Sequence, residues 1–422
     1  MTNRFRIFQK PWTLVVLLWL VCILNYTDRF ALSTLFSVLK TEFSLSATKL
    51  GLLGTVFGVS YALVAPLAGR IIDRTSRKLA IVGSLSAWSL LTALLGLAQG
   101  WFQLIGLRIL LGVSQTFYFP AAMSILGDYH GEKTRSRAMG FHQTGVYLGT
   151  IGSGAVVGWL ALHFGWRNPL LLLGAAGLVV GFLLAWLIKE PKRQEVEGSD
   201  KDGRGLKPPV EPMKWSAFLG FMVQTPAARN LALTFCLANF VGLIFLTWMP
   251  SYLHDKFGLD LAKAGLGATI YLQLASIGGS SLGGYVADRW KKSHQGGRVL
   301  VQAIGLILGA PCIVVCGLTQ ELRVLVIAMT VFGLGKGLYE SNIWAAIYDV
   351  VPRETRASVV GLMNMAAWLF GSLGPLAIGL AVDRGVSFGF ALAFNGFLYL
   401  IGAGLLLFQG LVLSPRGVAV VR

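Results

Sequence analysis

Gly69-Arg70-Ile71-Ile72-Asp73-Arg74-Thr75-Ser76-Arg77-Lys78 sets five charged residues between two apolar runs, and a shortened form, Gly284-Tyr285-Val286-Ala287-Asp288-Arg289, recurs 215 positions later. The echo extends in both directions. Gly112, Tyr118, Asp128, Arg135, Gly140 and Gly158 match Gly333, Tyr339, Asp349, Arg356, Gly361 and Gly379 at an interval of 221, and Cys22 and Asn25 match Cys236 and Asn239 at 214. The chain is therefore a duplicated unit. Parallel repeats of this kind place a substrate site between the halves, near the bilayer midplane.

The composition fits that reading. Of 422 residues 55% are hydrophobic and 13% charged, with mean hydropathy +0.67; soluble domains are roughly 45–50% apolar. Apolar segments of membrane-crossing length fall at about 12–36, 48–72, 79–98, 101–126, 136–163, 168–188, 230–253, 264–287, 299–318, 322–348, 357–382 and 388–413. That predicts an all-α membrane protein of twelve transmembrane helices in two pseudo-symmetric six-helix bundles, 1–189 and 229–422. The first run is too long for a signal-peptide core and no small-residue cleavage site follows it.

Between the bundles, 190–228 reads as a cytoplasmic linker, polar from Glu190 to Gly205, with an interfacial helix around Trp215–Met222 that could also dock a partner. Gly-xxx-Gly pairs such as Gly54/Gly58 and Gly279/Gly283 let helices approach closely in lipid. The net charge of +17 does not point to nucleic acid, because the Lys and Arg residues lie in the loops. Of 36, 26 fall on one set of loops and span ends that includes both termini and 7 on the other, with 3 in span interiors. This asymmetry orients both termini to the cytoplasm in an inner or plasma membrane. Cys22, Cys236, Cys312 and Cys316 all sit in apolar runs and read as small hydrophobes, not disulfides or metal ligands.

The Gly69–Lys78 motif resembles the loop 2–3 signature of the major facilitator superfamily, with its half-repeat in loop 8–9, and the resemblance covers nearly the whole chain. It implies the major facilitator fold, with Gly69, Asp73, Arg74, Arg77, Asp288 and Arg289 gating the conformational change on the cytoplasmic side. A merely solvated, positive-inside loop is the plainer alternative. Within the superfamily, five stretches resemble the anion:cation symporter group of sugar-acid and organic-anion carriers. They are Asn25-Tyr26-x-Asp28-Arg29, Leu107-Arg108-Ile-Leu-Leu-Gly112, Phe119-Pro120-Ala121-Ala122, Gly165-Trp166-Arg167 and Trp248-Met249-Pro250-x-Tyr252-Leu253. The span-1 motif with Asp73-Arg-x-x-Arg77-Lys78 is also similar to the Spinster group, which moves lysolipids and sphingolipids. Both groups usually carry a Glu, associated with proton coupling, where this chain has Gln115, a departure that counts against simple two-carboxylate coupling.

Five charged residues fall in the interior of spans, away from their ends: Asp28, Arg29, Arg108, Lys336 and Glu340. An unpaired charge there costs at least a few kcal/mol, so residues kept at such depth mark function. Asp28-Arg29 corresponds in position to Gly242-Leu243 of the second repeat, so the repeat itself does not require it. Asp28 is the leading coupling candidate, exchanging a proton with pairing to Arg108 or Arg29; a permanent salt bridge is the alternative, and sodium the alternative ion. Glu340 and His142 are further coupling candidates, His142 because imidazole titrates near neutral pH. Arg29 and Arg108 offer fork-like donors to a carboxylate. Lys336 and Glu340 are spaced to pair on one helix face.

Gln115, Tyr118, Gln143, Tyr147, Asn239, Tyr271, Gln273, Lys336, Tyr339 and Asn364 complete the expected substrate-binding set, each alone being an ordinary interhelical hydrogen-bonding residue. The reading is a monomeric, alternating-access carrier of a small organic anion, a carboxylate such as a sugar acid, coupled to protons. A Spinster-like lysolipid carrier is the main alternative. A non-transporting sensor would need a signalling partner, and no appended domain offers one. No cofactor, metal motif, phosphate loop or nucleophile–base set is present, so enzymatic activity has no support.

Overall fold

The computed structural model describes residues 11–130, 132–188, 215–352 and 355–413; the polar linker stretch Glu190–Gly205 lies outside them. The described chain is helical. The helices are α1 (Pro11–Thr34), α2 (Phe36–Glu42), α3 (Ala47–Arg74), α4 (Arg77–Gly96), α5 (Trp101–Gln115), α6 (Tyr118–Tyr129), α7 (Glu132–Phe164), α8 (Arg167–Leu187) and α9 (Trp215–Gln224). There follow α10 (Pro226–Phe257), α11 (Leu261–Lys291), α12 (Gly297–Leu318), α13 (Leu322–Glu340), α14 (Ile343–Val350), α15 (Arg356–Asp383), α16 (Phe388–Ala393) and α17 (Asn395–Phe408), with a π-helical turn at Gln409–Leu413.

Among the described residues, eleven segments are long and apolar enough to cross a membrane. The remaining expected span is α11, which at 31 residues extends roughly 46 Å at the α-helical rise. Composition rather than length sets it apart, since Gly, Ser and Thr dilute its apolar residues. Its N-terminus is capped by Asp260, which accepts from the Lys263 amide at 2.8 Å. A hydrogen bond from the Lys263 side chain holds the Asp260 carboxyl below its usual range.

Two spans are broken in the middle. Span 4 breaks between α5 and α6, where Pro120 lacks the N–H that would continue the ladder and Thr116 Oγ1 donates to Gly112 O at 2.8 Å. Span 10 breaks between α13 and α14 without a proline. There Asn342 Nδ2 donates to Gly283 O at 3.2 Å, a side chain competing with the helix for backbone partners. Interrupted helices survive in a bilayer only where the freed groups are re-satisfied in this way.

The chain forms two compact units, Met1–Leu32 with Ser60–Glu211, and Ser33–Val59 with Pro212–Arg422. In the first, α4 packs along α8. A Cβ at Gly174 would lie 2.5 Å from Ser89 O, so glycine there lets two backbones touch. We expect Gly174→Val to force these helices apart and lower the melting temperature, overpacking of this kind costing about 1–3 kcal/mol; an unchanged melting curve would refute the close packing.

In the second unit, α11 and α12 flank α13, and α10 packs on α15. Residues 33–59 come from the first repeat yet pack here. Thr55 Oγ1 donates to Ser372 O at 2.6 Å, and Asp383 at the end of α15 accepts from the Ala47 and Thr48 amides at 3.0 and 2.8 Å, capping α3. Helix α9 forms where the spacing predicts an interfacial helix. It buries Phe218 and Met222 against the unit and exposes Trp215, Leu219 and Val223.

Candidate functional site

The first unit gathers the span-1 motif with the broken span 4. Asn25, Asp28, Arg29, Arg108 and Gln115 are all buried. Arg29 Nε donates to Gln115 Oε1 at 3.2 Å and a terminal nitrogen donates to Asn25 Oδ1 at 3.2 Å. The guanidinium carbon also lies over the rings of Tyr26 and Tyr61, 4.5 and 4.8 Å from their centroids. Stacking plus two hydrogen bonds fixes the plane of the fork. Arg108, on α5, donates to the backbone carbonyl of Arg29 at 3.3 Å. Two guanidinium groups thus converge on one stretch of α1.

Asp28, which precedes Arg29 on α1, is 4% exposed, with Oδ1 lacking any hydrogen-bond partner among the described residues. Arg29 is held by the Asn25 and Gln115 contacts, so its Nε meets a neutral oxygen. Gln115 therefore does as a neutral acceptor what a Glu in its place would do as a charged one. Its Nε2 has no partner among the described residues.

A second polar cluster lies nearby in the same unit. Tyr118 Oη donates to Leu18 O at 2.5 Å and meets His142 Nε2 at 2.9 Å. With the phenol proton committed to the carbonyl, the contact casts His142 as the donor through Nε2–H, and Nδ1 is its other ring nitrogen. That Nδ1 has no partner among the described residues, and the ring is fully buried. Trp88, also fully buried, packs edge-on to Tyr118 at 5.6 Å. Gln143, one residue on, is exposed and Tyr147 half-buried.

In the second unit Lys336 donates to Glu340 at 2.8 Å, the i,i+4 pair its spacing predicts, at the end of α13 just before the break. Tyr339 between them is buried. Asn239 Nδ2 donates to Phe235 O one turn back, at 3.1 Å, and Asn364 is half-buried. Tyr271 is 42% exposed whereas Gln273 is 3% exposed; two positions apart on α11, they face opposite sides of the helix. Among the described residues no cluster of three His, Cys, Asp or Glu side chains could hold a metal ion.

Of the gating candidates, Arg77 and Asp288 enter ion pairs, in two clusters that recur between the units. Arg77 pairs with Asp128 and donates to Ser124 Oγ at 3.2 Å. In the second unit Arg298 pairs with Asp349 at 3.2 Å and with Asp288 at 2.9 Å, and Lys291 also pairs with Asp349. Arg77 and Arg298 are 221 positions apart, as are Asp128 and Asp349. Arg298 is absent from the sequence-derived set because loop 8–9 is six residues longer there; moving the interval from 215 to 221 within the motif would have found it. Gly69 has open space where a Cβ would be, Arg74 and Arg289 are exposed, and the Asp73 side chain lies outside the described residues.

Arg77 is 3% exposed and Asp128 28%. Removing one partner of a buried pair costs roughly 3–5 kcal/mol, and Asp128's access to water puts Arg77→Gln at the low end of that range. A thermal-melt double-mutant cycle with Asp128→Asn should show strong coupling, and additive losses would disprove the pair.

The sequence model of the Major Facilitator Superfamily matches residues 18–375 and 274–419. A hexuronate transporter of Bacillus subtilis is 30% identical over 404 residues, covering 94% of this chain and 92% of that protein. A probable L-galactonate transporter of Escherichia coli is 27% identical, covering 97% and 91%. Among solved structures, a bacterial homolog of the human lysosomal transporter Spinster aligns with TM-score 0.80 at 19% identity in its inward-facing, occupied form, covering 96% of this chain and 97% of that one. The unoccupied form of a bacterial Spinster homolog gives 0.76 at 22%, covering 95% of each. The chain belongs to the major facilitator superfamily and is an integral, multi-pass membrane transporter rather than an enzyme.

Proposed function

We propose that this chain carries a small organic carboxylate of the sugar-acid class by alternating access, coupled to protons, with both termini in the cytoplasm. The observation that carries the proposal is the convergence of Arg29 and Arg108 on one buried stretch of α1, which also carries Asp28, buried and with Oδ1 unpartnered among the described residues. Two fixed cations can take the substrate carboxylate, and Asp28 can exchange a proton as substrate enters and leaves. The relatives named for hexuronate, galactonate and galactarate/glucarate transport support the substrate class. The orientation rests on the loop distribution of Lys and Arg. The likeness to Spinster structures, at 19–22% identity, bears on the fold alone.

Uptake into proteoliposomes tests the proposal, with labelled glucuronate, galactonate, galactarate and a lysolipid as substrates, with and without an imposed pH gradient. Gradient-driven accumulation of at least one sugar acid is expected; transport of the lysolipid alone would overturn it.

Gln115 provides a sharper test. Gln115→Glu places a carboxylate where Arg29 Nε now meets a neutral oxygen, so the variant's own charge competes with substrate for Arg29. Charge-assisted hydrogen bonds contribute about 1.5–3 kcal/mol, so we expect apparent substrate affinity at neutral pH to fall roughly tenfold and to recover as the buffer is acidified. A pH-independent affinity would refute the competition.

A further inference from the structure

The second unit holds a cavity of about 460 Å³ at the ends of the spans remote from the cytoplasmic loops, and the transport reading above does not use it. Its volume lies in the range of roughly 300–1,000 Å³ usual for small-molecule sites. Four aromatic rings build one wall. Tyr252 stacks on Phe388 with centroids 5.0 Å apart, Phe388 meets Trp248 at 5.4 Å, and Trp248 meets Phe36 of α2 at 5.4 Å.

Lys256 lines the cavity with its ammonium held by Tyr252 Oη at 2.7 Å and Gly317 O at 3.2 Å. Those bonds use two of its three donors and fix the direction of the third. Lys40 reaches the same cavity from the exposed end of α2. Ser37 Oγ, also on the lining, is buried with no partner among the described residues. Among the described residues Asp255 is the single acid on the wall.

The lining selects a ligand class. A flat apolar body fits against the rings, and one carboxylate can meet Lys40 and Lys256. A second carboxylate would face Asp255, so dianions are disfavoured. We propose that this cavity is an outer-face binding site for a small organic monocarboxylate with a flat apolar side, distinct from the Arg29–Arg108 site. An occupant would bridge α2, from the first repeat, to α10 and α16 of the second. It would therefore hold residues 33–59 in place and slow any transport cycle that must release them. Only the sidedness and this inhibition depend on the transport reading; binding itself does not.

The test uses the full-length protein purified in detergent and 4-fluorophenylacetate as probe, followed by fluorine NMR line broadening. We expect saturable binding, at least tenfold weaker for the neutral 4-fluorophenylacetamide and at least fivefold weaker for Lys40→Gln. Lys40 is exposed, so that variant should fold; Ser37→Trp, which fills the cavity, should abolish binding. In right-side-out vesicles the probe should slow sugar-acid uptake from the outside without raising the substrate KM. Equal binding of the amide, or affinity unchanged in both variants, would overturn the site. Sugar-acid uptake failing while the probe still binds would overturn only the transport proposal.

Discussion

Asp28→Asn should exchange labelled substrate across the membrane yet accumulate none. With one coupled proton, a pH gradient of one unit supports at most about a tenfold concentration ratio, because one unit is worth about 1.4 kcal/mol. In the variant the ratio should fall to about one, the value for a carrier that equilibrates substrate without coupling. Counterflow separates this from loss of folding or binding, since an exchanging protein must still bind and cycle. Asp28 is 4% exposed and its Oδ1 is unpartnered among the described residues, which leaves that oxygen available to a proton or to a moving cation. Persistent gradient-driven accumulation in the variant would remove Asp28 from the mechanism. Accumulation that follows a sodium gradient and ignores pH in the natural protein would replace the proton by sodium.

Arg29→Lys and Arg108→Gln should separate charge from geometry. Arg29 holds its plane through Asn25 and Gln115 and through the rings of Tyr26 and Tyr61, and lysine keeps the charge but loses the fork. If the substrate carboxylate is taken bidentately, each substitution should raise the half-saturating substrate concentration roughly 10- to 100-fold, the worth of one charge-assisted hydrogen bond of about 1.5–3 kcal/mol. Arg108→Gln removes charge as well and should sit at the upper end. Melting temperatures measured alongside show whether lost packing of Arg29 contributes. Unchanged affinity and unchanged melting in the Arg29→Lys variant would show that Arg29 does not contact substrate.

Much of the fold was legible in the residues alone, because its strongest physical constraint is local. A bilayer demands long apolar helices, and the duplicated Gly69–Arg74 and Gly284–Arg289 motifs put twelve of them into two repeats. The Lys336–Glu340 pair was legible for the same reason, since four residues is about one helical turn. The breaks in spans 4 and 10 were only half visible. Pro120 signals the first, but Asn342 breaks the second through a contact with Gly283 on another helix.

The partners came from packing. Nothing local says that Arg29 is held by Gln115, 86 positions away, that His142 is committed to Tyr118, or that Arg298 repeats Arg77 across a lengthened loop. Nor does the order of the chain show that residues 33–59 pack with the second repeat, where Asp383 caps α3 and two lysines and four rings enclose a cavity. Helix formation depends on neighbours along the chain, whereas side-chain pairing depends on which helix faces meet, and only the packed molecule fixes that.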